Sequence, residues 1–356
     1  MVHRLFAFVL LAGCGSAAPQ AAPDLVPAAA VDRTMGLDAA EMARTVEAAR
    51  RLPRLRSLLV LRDGRTLAEH RFNGGPPFDQ PVNIKSASKS VMSALVGIAI
   101  ARGVLSGVDQ PVLSVLRSEA PPSPDPRLAQ VTVGNLLSMQ AGLERTSGEY
   151  YGRWVSSPNW VRSALARPFV DAPGGGMLYS TGNTHLLSAM LTKSSRRSTL
   201  QLAREWLGEP LGITIPAWST DPQGIYFGGN EMRLSPRSLA RFGELYRQGG
   251  VIDGRRVLPA AWIAQSWTPR AVSPWSGGRY GYGWFIGEAG GHPVRFAWGY
   301  GGQMVYVVPD LRLTVVMTSD AGGTRDGGHI DALHRLLAEG IVPAAVRGGT
   351  EADPAS

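Results

Sequence analysis

The residues in this sequence with the clearest capacity for chemistry are Ser86 and Lys89. Only three of its 36 lysines and arginines are lysines, and two of them stand in one short run, Ile84–Ser90. A Ser-x-x-Lys spacing places hydroxyl and amine on the same face of a helix, where a neutral amine can take the proton of an attacking serine. Arginine cannot replace this amine, because it does not deprotonate in proteins. The spacing therefore predicts nucleophilic catalysis by Ser86 with Lys89 as its base.

Lys89 can act as a base near neutral pH only if its pKa falls well below the ordinary value of ~10.4. A drop of roughly three units corresponds to ~4 kcal/mol of differential interaction, and burial or a neighbouring cation can supply it. The apolar stretch Val91–Ala101 directly follows the motif and predicts a buried helix. The N–H groups at the start of that helix would favour an oxyanion.

Two further motifs follow in order along the chain. The first, Leu178–Asn183, comes after a glycine-rich turn, and the second, Trp298–Gln303, lies in a region with strand character. With Ser-x-x-Lys they resemble the pattern of the penicillin-binding and class C β-lactamase-like serine hydrolases, over about residues 40–340. Within that superfamily, Gly299–Gln303 and the Glu149-Tyr150 segment resemble the branch of 6-aminohexanoate-dimer hydrolases and esterases.

The resemblance implies a role for each matching residue. Ser86 would be acylated, Lys89 would take its proton, and Tyr179 would shuttle protons and help to activate the deacylating water. The backbone N–H groups of Ser86 and Tyr300 would form an oxyanion hole, with Gly299 beside it in the strand motif. Each such donor contributes roughly 3–4 kcal/mol in sites of this kind. No metal or organic cofactor is implied.

Several positions depart from the family pattern. Thr181 stands where much of the family has asparagine, and it cannot offer an amide to a substrate carbonyl. Ala297 stands where β-lactamases have the lysine or histidine that meets a substrate carboxylate, which argues against β-lactams and D-alanine termini as substrates. Trp298 predicts an apolar, stacking wall instead. Tyr150 resembles a substrate-contacting loop tyrosine of the dimer-hydrolase branch, although a packing aromatic on a loop fits the sequence equally well.

Composition favours a globular protein over a disordered one. The chain has 356 residues, of which 44% are hydrophobic and 18% charged. Its formal net charge is +8, but its arginines are scattered in runs no longer than two, so we expect no nucleic-acid partner. There is no Gly-x-Ser-x-Gly elbow and no P-loop lysine. The histidines lack the tight spacing of metal ligands: His70, His185, His292, His329 and His334.

The N-terminus has the pattern of an export signal. A short basic start precedes the apolar run Leu5–Leu11, which is too short to span a bilayer. Cys14 is the single cysteine of the chain, and its context resembles a bacterial lipoprotein signal in which the cysteine is lipidated. An ordinary signal peptide with an incidental cysteine is the alternative. We expect a signal over residues 1–14, a flexible Ala/Pro-rich tether over 15–37, and a lipid-anchored protein of the cell envelope.

Strand patterns at both ends of the chain enclose a helical middle. The predicted architecture is an α/β (α+β) domain over residues 38–345, followed by a disordered tail over 346–356. One antiparallel sheet is built from both termini and flanked by helices, with a mostly helical subdomain inserted, as in the β-lactamase/transpeptidase-like fold. The predicted strands are Ser57–Arg62, Thr66–Phe72, Tyr280–Ile286, Val294–Trp298, Gln303–Val308 and Leu313–Thr318, and the predicted helices include Asp38–Arg51, Thr132–Gly142, Thr184–Leu191, Thr199–Leu207, Leu239–Arg247 and Asp331–Glu339.

The sequence thus predicts a serine hydrolase whose small-molecule partner is its substrate, a small ester or amide. Two alternatives stay open. One is a non-catalytic envelope lipoprotein that binds peptidoglycan fragments or a protein partner, and the other is a β-lactamase or D-amino-acid peptidase. Nothing in the sequence sets the oligomeric state, and fold resemblance does not determine the substrate.

Overall fold

The structure, a computed structural model, describes residues 36–322 and 328–350. The predicted signal over 1–14, Cys14 and nearly all of the predicted tether lie outside the described residues. No helix in the described part of the chain is long and apolar enough to cross a membrane.

An eight-stranded antiparallel sheet forms the centre of the fold, in the order β2-β1-β12-β11-β10-β9-β8-β7. The two N-terminal strands therefore complete a sheet made mostly by the C-terminal third of the chain, as predicted. Two further ribbons pair β3 with β4 and β5 with β6. The strands are β1 Leu55–Arg62, β2 Arg65–Arg71, β3 Val82–Asn83, β4 Arg233–Leu234, β5 Val251–Ile252, β6 Arg255–Arg256, β7 Ala271–Val272, β8 Arg279–Tyr280, β9 Phe285–Ala289, β10 His292–Gly299, β11 Gln303–Val308 and β12 Leu313–Ser319.

The first hairpin follows from its turn residues. Asp63 and Gly64 have φ angles of 51° and 78°, and positive φ at both central positions is the geometry that Asp-Gly favours between two strands. The turn pairs Arg62 with Arg65 and so sets the register of β1 on β2.

Both faces of the sheet are buried. Because alternate side chains of a strand point to opposite sides, neighbouring residues of one strand belong to different cores. Leu59 and Val316, paired across β1 and β12, belong to the core that includes the inserted helices. Their neighbours Val60 and Val315 belong to a second core, against the first helix and the C-terminal helices. This is why the central strands, such as β11 and β12, read as nearly continuous apolar runs.

Helices cover the two faces and fill the insertion between β2 and β7. Two π-helical turns, Arg204–Gly208 and Leu336–Ile341, continue α8 and α12. The α-helices are α1 Ala39–Arg50, α2 Ser88–Ala101, α3 Leu113–Leu116, α4 Val133–Leu137, α5 Tyr151–Val155, α6 Trp160–Leu165, α7 Thr181–Ser195, α8 Thr199–Ala203, α9 Glu209–Leu211, α10 Pro236–Arg247, α11 Ala260–Ser266, α12 His329–Arg335 and α13 Val342–Thr350.

Some predicted boundaries differ from those observed. The single strand predicted over Tyr280–Ile286 is wrong, because the chain turns back between Tyr280 and Phe285, which pair with each other. Gly283, with φ of 78°, lies in that turn. At the C-terminus, α13 continues to Thr350 and so enters the range 346–356, for which the sequence predicts a disordered tail.

Candidate active site

Ser86 lies on a one-turn 3₁₀ helix, Lys85–Ala87, that leads directly into α2. The turn is held by hydrogen bonds at its start: the Lys85 N–H donates to Asn83 Oδ1 at 2.9 Å, and Ser88 Oγ donates to the Lys85 carbonyl at 2.7 Å. Lys85 has φ of 50°, a left-handed conformation that costs energy outside glycine and is often found at functional sites. The tight turn leaves Ser86 partly exposed at the head of a buried helix.

Lys89 is buried directly beneath Ser86, with 1% of its surface exposed. Its Nζ atom lies 3.0 Å from Ser86 Oγ, 3.2 Å from Thr181 Oγ1 and 2.7 Å from the Gly229 carbonyl oxygen. Burial lowers the pKa of Lys89 to about 7, because removal from water disfavours the ammonium form. A neutral amine can donate to Gly229 O and Thr181 Oγ1 and direct its lone pair to the Ser86 hydroxyl.

The second sequence motif brings Tyr179 and Thr181 to this pair at the start of α7. The Lys89 Nζ atom lies 5.0 Å from the centre of the Tyr179 ring. Burial raises the pKa of Tyr179, while its side-chain hydrogen bond with Ser86 acts in the opposite direction. Thr181 Oγ1 also lies 3.0 Å from Ser147 Oγ. Thr181 therefore joins Lys89 to a hydroxyl network, in place of the amide that the family pattern provides.

The third motif lies at the end of β10, against the turn that carries Ser86. A Cβ atom on Gly299 would lie 2.2 Å from the Ile84 carbonyl oxygen and 3.2 Å from the Ala87 nitrogen, so only glycine permits this approach. Tyr300 then begins the turn to β11 and is 42% exposed. The structure thus places Gly299 against the turn that carries Ser86, and Tyr300 follows directly in the chain.

Ala297 and Trp298 occupy the positions before Gly299. Ala297 is buried in the core on the side of the inserted helices. Trp298 is partly buried and packs its ring 5.2 Å from Phe285 and 6.1 Å from His334. Phe285 in turn stacks on Tyr179 at 6.5 Å, so Trp298 connects with Tyr179 through an intervening ring.

A cleft of about 250 Å³ opens beside Tyr179. Tyr150, on the 3₁₀ turn Gly148–Tyr150, lines it and lies under the Arg167 guanidinium at 5.0 Å. Tyr179 joins the cleft to Ser86, because it lines the cleft and is hydrogen-bonded to the serine. The lining residues are Glu144, Arg145, Glu149, Tyr150, Val170, Met177, Leu178, Tyr179, Pro274 and Trp275.

Sequence reasoning missed Trp275. It lies on the loop between β7 and β8 and meets the Tyr179 ring edge-to-face, with the ring centres 5.2 Å apart at 81°. Its signal was a tryptophan within a Ser/Gly/Pro loop, where no packing pattern requires one. Trp275 is far in sequence from Ser86 and Tyr179, so the sequence alone does not place it in the site.

A set of buried hydrogen bonds holds the segment whose carbonyl accepts from Lys89. Its residues were also not predicted from the sequence. His185 and Asp221 are joined by a 3.0 Å contact between Nε2 and Oδ2, and both side chains are fully buried. The Gly228 N–H donates to His185 Nδ1 at 3.3 Å, so the Nε2–H donates to Asp221. The next residue, Gly229, supplies the carbonyl that accepts from Lys89. By spacing alone, His185 is one of several scattered histidines in the sequence.

Within the described residues, no group of three His, Cys, Asp or Glu side chains is placed to hold a metal ion. The groups that meet at this site are the Ser86 hydroxyl, the Lys89 amine 3.0 Å from it, and the Tyr179 side chain, which interacts with Ser86.

Comparison with known proteins agrees with this arrangement. Residues 42–339 match the family described as Beta-lactamase. The chain belongs to the beta-lactamase family. The predicted class, a β-lactamase-related serine hydrolase, and the predicted fold are thereby confirmed.

Members and structural neighbours of this beta-lactamase family differ in the activities that their names state. The 6-aminohexanoate-dimer hydrolase of Paenarthrobacter ureafaciens is 27% identical over 268 residues, which cover 67% of this chain and 66%, just under two thirds, of that protein. A putative 6-aminohexanoate-dimer hydrolase from Bacillus anthracis is similar in structure, with a TM-score of 0.68, 18% identity and coverage of 84% and 80% of the two chains. A putative beta-lactamase from Bacteroides dorei has a TM-score of 0.71, 18% identity and coverage of 87% and 99%. At this identity the two structures support the fold alone.

Proposed function

We propose that the protein forms an acyl-enzyme on Ser86 and hydrolyses small esters or amides that are uncharged next to the scissile bond. The observation that carries the proposal is the environment of Lys89. Its amine is buried with no carboxylate among its hydrogen-bond partners in the described structure, has a pKa lowered to about 7, and lies 3.0 Å from Ser86 Oγ. Such an amine accepts a proton at neutral pH, which an ordinary lysine does not.

In acylation, Lys89 takes the Ser86 proton as Oγ bonds to the substrate carbonyl carbon. The carbonyl oxygen becomes an oxyanion, for which the N–H groups of Ser86 and Tyr300 are the proposed donors. The proton then moves from Lys89 to the leaving oxygen or nitrogen by way of Tyr179. The bond to the leaving group breaks, and the acyl group stays on Ser86.

In deacylation, a water molecule attacks the acyl carbon and gives its proton to Lys89 through Tyr179. The bond to Ser86 Oγ breaks, Ser86 regains a proton, and the acid is released. The raised pKa of Tyr179 means that the phenol holds its own proton at neutral pH. Tyr179 therefore acts as a relay in this mechanism, and Lys89 is the group that stores the proton.

The substrate class follows from what stands around the nucleophile. Ala297 is buried and apolar where β-lactamases have a carboxylate-binding cation, so this position supplies no cation for a substrate carboxylate. The match to a 6-aminohexanoate-dimer hydrolase supports an amide or ester without a carboxylate next to the scissile bond. A purely binding protein would have no use for a buried amine of lowered pKa, because burying it costs stability.

The test uses covalent labelling and turnover. Purified protein is treated with a fluorophosphonate probe and with panels of short esters, amides and a penicillin, followed by intact-mass spectrometry. We expect a probe adduct on Ser86 and turnover of esters or amides. Ser86→Ala should abolish labelling, whereas Ser93→Ala, on the same helix, should retain it. Absence of both labelling and ester turnover would overturn the proposal, and efficient penicillin turnover would refute the assignment of a substrate that is uncharged next to the scissile bond.

A further inference from the structure

The cleft beside Tyr179 has an exposed apolar wall. Trp275 is 50% exposed and Val170 is 56% exposed, and both line the cleft. Large apolar side chains left open to water inside a concave site commonly bind a ligand's apolar part. Because Tyr179 also lines this cleft, a group bound against Trp275 would belong to a substrate whose reacting carbonyl lies at Ser86.

Trp275 is exposed but held in place. Its loop is closed by hydrogen bonds from the Ser273 N–H to the Gly278 carbonyl at 2.8 Å and from the Gly277 N–H to the Ser273 carbonyl at 2.9 Å. Ser276 Oγ adds a bond to Ser273 Oγ at 2.8 Å. The ring rests edge-on against Tyr179. A side chain ordered before binding loses little conformational freedom when a ligand arrives.

The charged residues of the cleft are already paired with each other or with neighbours. Glu144 is ion-paired with Arg167, and Arg145 is 3.3 Å from Glu149. A charged substrate group would compete with these existing partners. An uncharged group has no such competition, and it gains by covering the exposed ring.

We propose that Trp275 determines specificity for an uncharged apolar group, preferably aromatic, on one side of the scissile bond. This inference rests on the proposed hydrolase function and names the substrate class of the same site. An aromatic ring of the substrate would stack on Trp275 or meet it edge-on, while the carbonyl reaches Ser86.

The experiment compares alkyl and aromatic esters in two arms. In the acyl arm, kcat/KM is measured for methyl acetate and methyl phenylacetate. In the leaving-group arm it is measured for methyl acetate and benzyl acetate. We expect wild type to prefer the aromatic ester in one arm, and Trp275→Ala to reduce that preference at least tenfold, mainly through KM. Trp275→Phe should retain most of it, since a ring remains. Val272→Ala is the matched control, because Val272 is 59% exposed and does not line the cleft.

The possible results test the role of Trp275 separately from the proposed hydrolase function. A preference that changes less than twofold in Trp275→Ala, in both arms, overturns the role of Trp275 while hydrolysis stands. A wild-type protein that neither hydrolyses any of the esters nor reacts with a fluorophosphonate overturns the proposed function, and the inference with it. Equal rates of fluorophosphonate labelling in wild type and Trp275→Phe would show that the substituted site remains assembled.

Discussion

Lys85 and Lys89 are one helical turn apart in sequence but lie in opposite electrostatic environments. Lys85 is partly exposed and pairs with Glu231 at 3.2 Å. Lys89 is buried, and its partners in the described structure are two hydroxyls and a carbonyl. An ammonium needs a counter-charge or water to be stable, and the described residues place no carboxylate among the hydrogen-bond partners of this buried amine. Its proton is therefore easily given up, and this property makes a lysine useful as a base.

The first prediction is a pH profile that follows Lys89. Because the neutral amine is the active form, kcat/KM should fall about tenfold per pH unit below the lowered pKa of about 7 and level off above it. The measurement is kcat/KM for one uncharged ester from about pH 5 to about pH 9. Lys85→Met should keep the same acid limb. A profile that stays flat below pH 7 would contradict the assignment of Lys89 as the base.

The second prediction concerns the stability cost of the same residue. The pKa of Lys89 is about 7 in the folded protein against an ordinary 10.5. The unfolded chain therefore binds more protons between these values, and the stability of the wild type rises with pH across that window. Below it, the full cost of burying the ammonium remains. Lys89→Met removes this cost, and we expect it to raise the free energy of unfolding by about 2–4 kcal/mol near pH 6, less the bond lost at Gly229 O.

Denaturant unfolding at about pH 6 and about pH 9.5 tests this, since the advantage of Lys89→Met should shrink at the higher pH. Lys85→Met serves as the control, and we expect no comparable gain there. A Lys89→Met protein that is inactive and less stable than wild type at both pH values would show that hydrogen bonds, not desolvation, dominate at this position.

The proposed catalytic residues could be nominated from sequence because the motifs that carry them are local. Ser86 and Lys89 are three residues apart, and Tyr179 follows a glycine-rich turn, so short-range patterns suffice. Trp275, His185 and Asp221 could not be found this way. Their roles come from packing between segments that are far apart in sequence, and neither their types nor their spacing differ from those of ordinary core or loop residues.

At the scale of elements, the site depends on how closely β10 approaches the 3₁₀ turn of Ser86. Gly299 makes that approach possible, because a side chain there would collide with the backbone of Ile84. The close packing of β10 against the 3₁₀ turn at Gly299 sets the distance between the Tyr300 N–H and Ser86. The geometry of the proposed oxyanion hole is therefore a packing property of two elements.

The third prediction is that Gly299→Ala abolishes hydrolysis. Its Cβ would lie 2.2 Å from the Ile84 carbonyl oxygen, so β10 or the turn must move, and small displacements of catalytic groups cost large factors in rate. We expect a loss of at least about 100-fold in kcat with a lowered melting temperature. Gly287→Ala is the matched control in the same sheet, since its Cβ would have only ordinary contacts, at 3.7 Å and beyond. Full activity in Gly299→Ala would show that the hole does not depend on this contact.

The elements themselves were predicted unevenly. The strands on either side of Asp63-Gly64 and those around Val305 and Val316 could be predicted from sequence, because turn residues and apolar runs are local signals. The turn at Gly283 was not, because its cause is tertiary: a Cβ there would lie 2.8 Å from the Lys89 carbonyl oxygen. The chain reverses direction at that point, where it packs against α2. The aromatic residues on either side make the sequence look like one strand.

At the scale of the whole molecule, the N-terminal and C-terminal elements of the described chain pack against each other. Strand β1 lies between β2 and β12, and α1 packs with α13 and the π-helical turn before it. The inserted helical block carries Ser86, Lys89 and Tyr179 but contributes no strand to the sheet before β7. Pairing across such a long separation in sequence is slow to form and costly in loop entropy. We therefore expect the sheet, and not the helical block, to limit folding.

The last prediction tests this dependence by removing residues 36–72, which contain α1, β1 and β2 but no residue of the candidate site. Without β1, strand β12 becomes an edge whose backbone N–H and C=O groups are unpaired, and Val315 loses its packing against α1 and β1. Such an edge of an apolar strand invites aggregation. We expect the shortened chain to be insoluble, or soluble without a cooperative thermal transition, and to lack fluorophosphonate labelling at Ser86. Co-expression of residues 36–72 as a separate peptide should restore part of the labelling, because the missing strands can pair with β12 from outside. A shortened chain that unfolds cooperatively and still labels at Ser86 would mean that the helical block positions the nucleophile alone, and that the sheet serves only to close the fold.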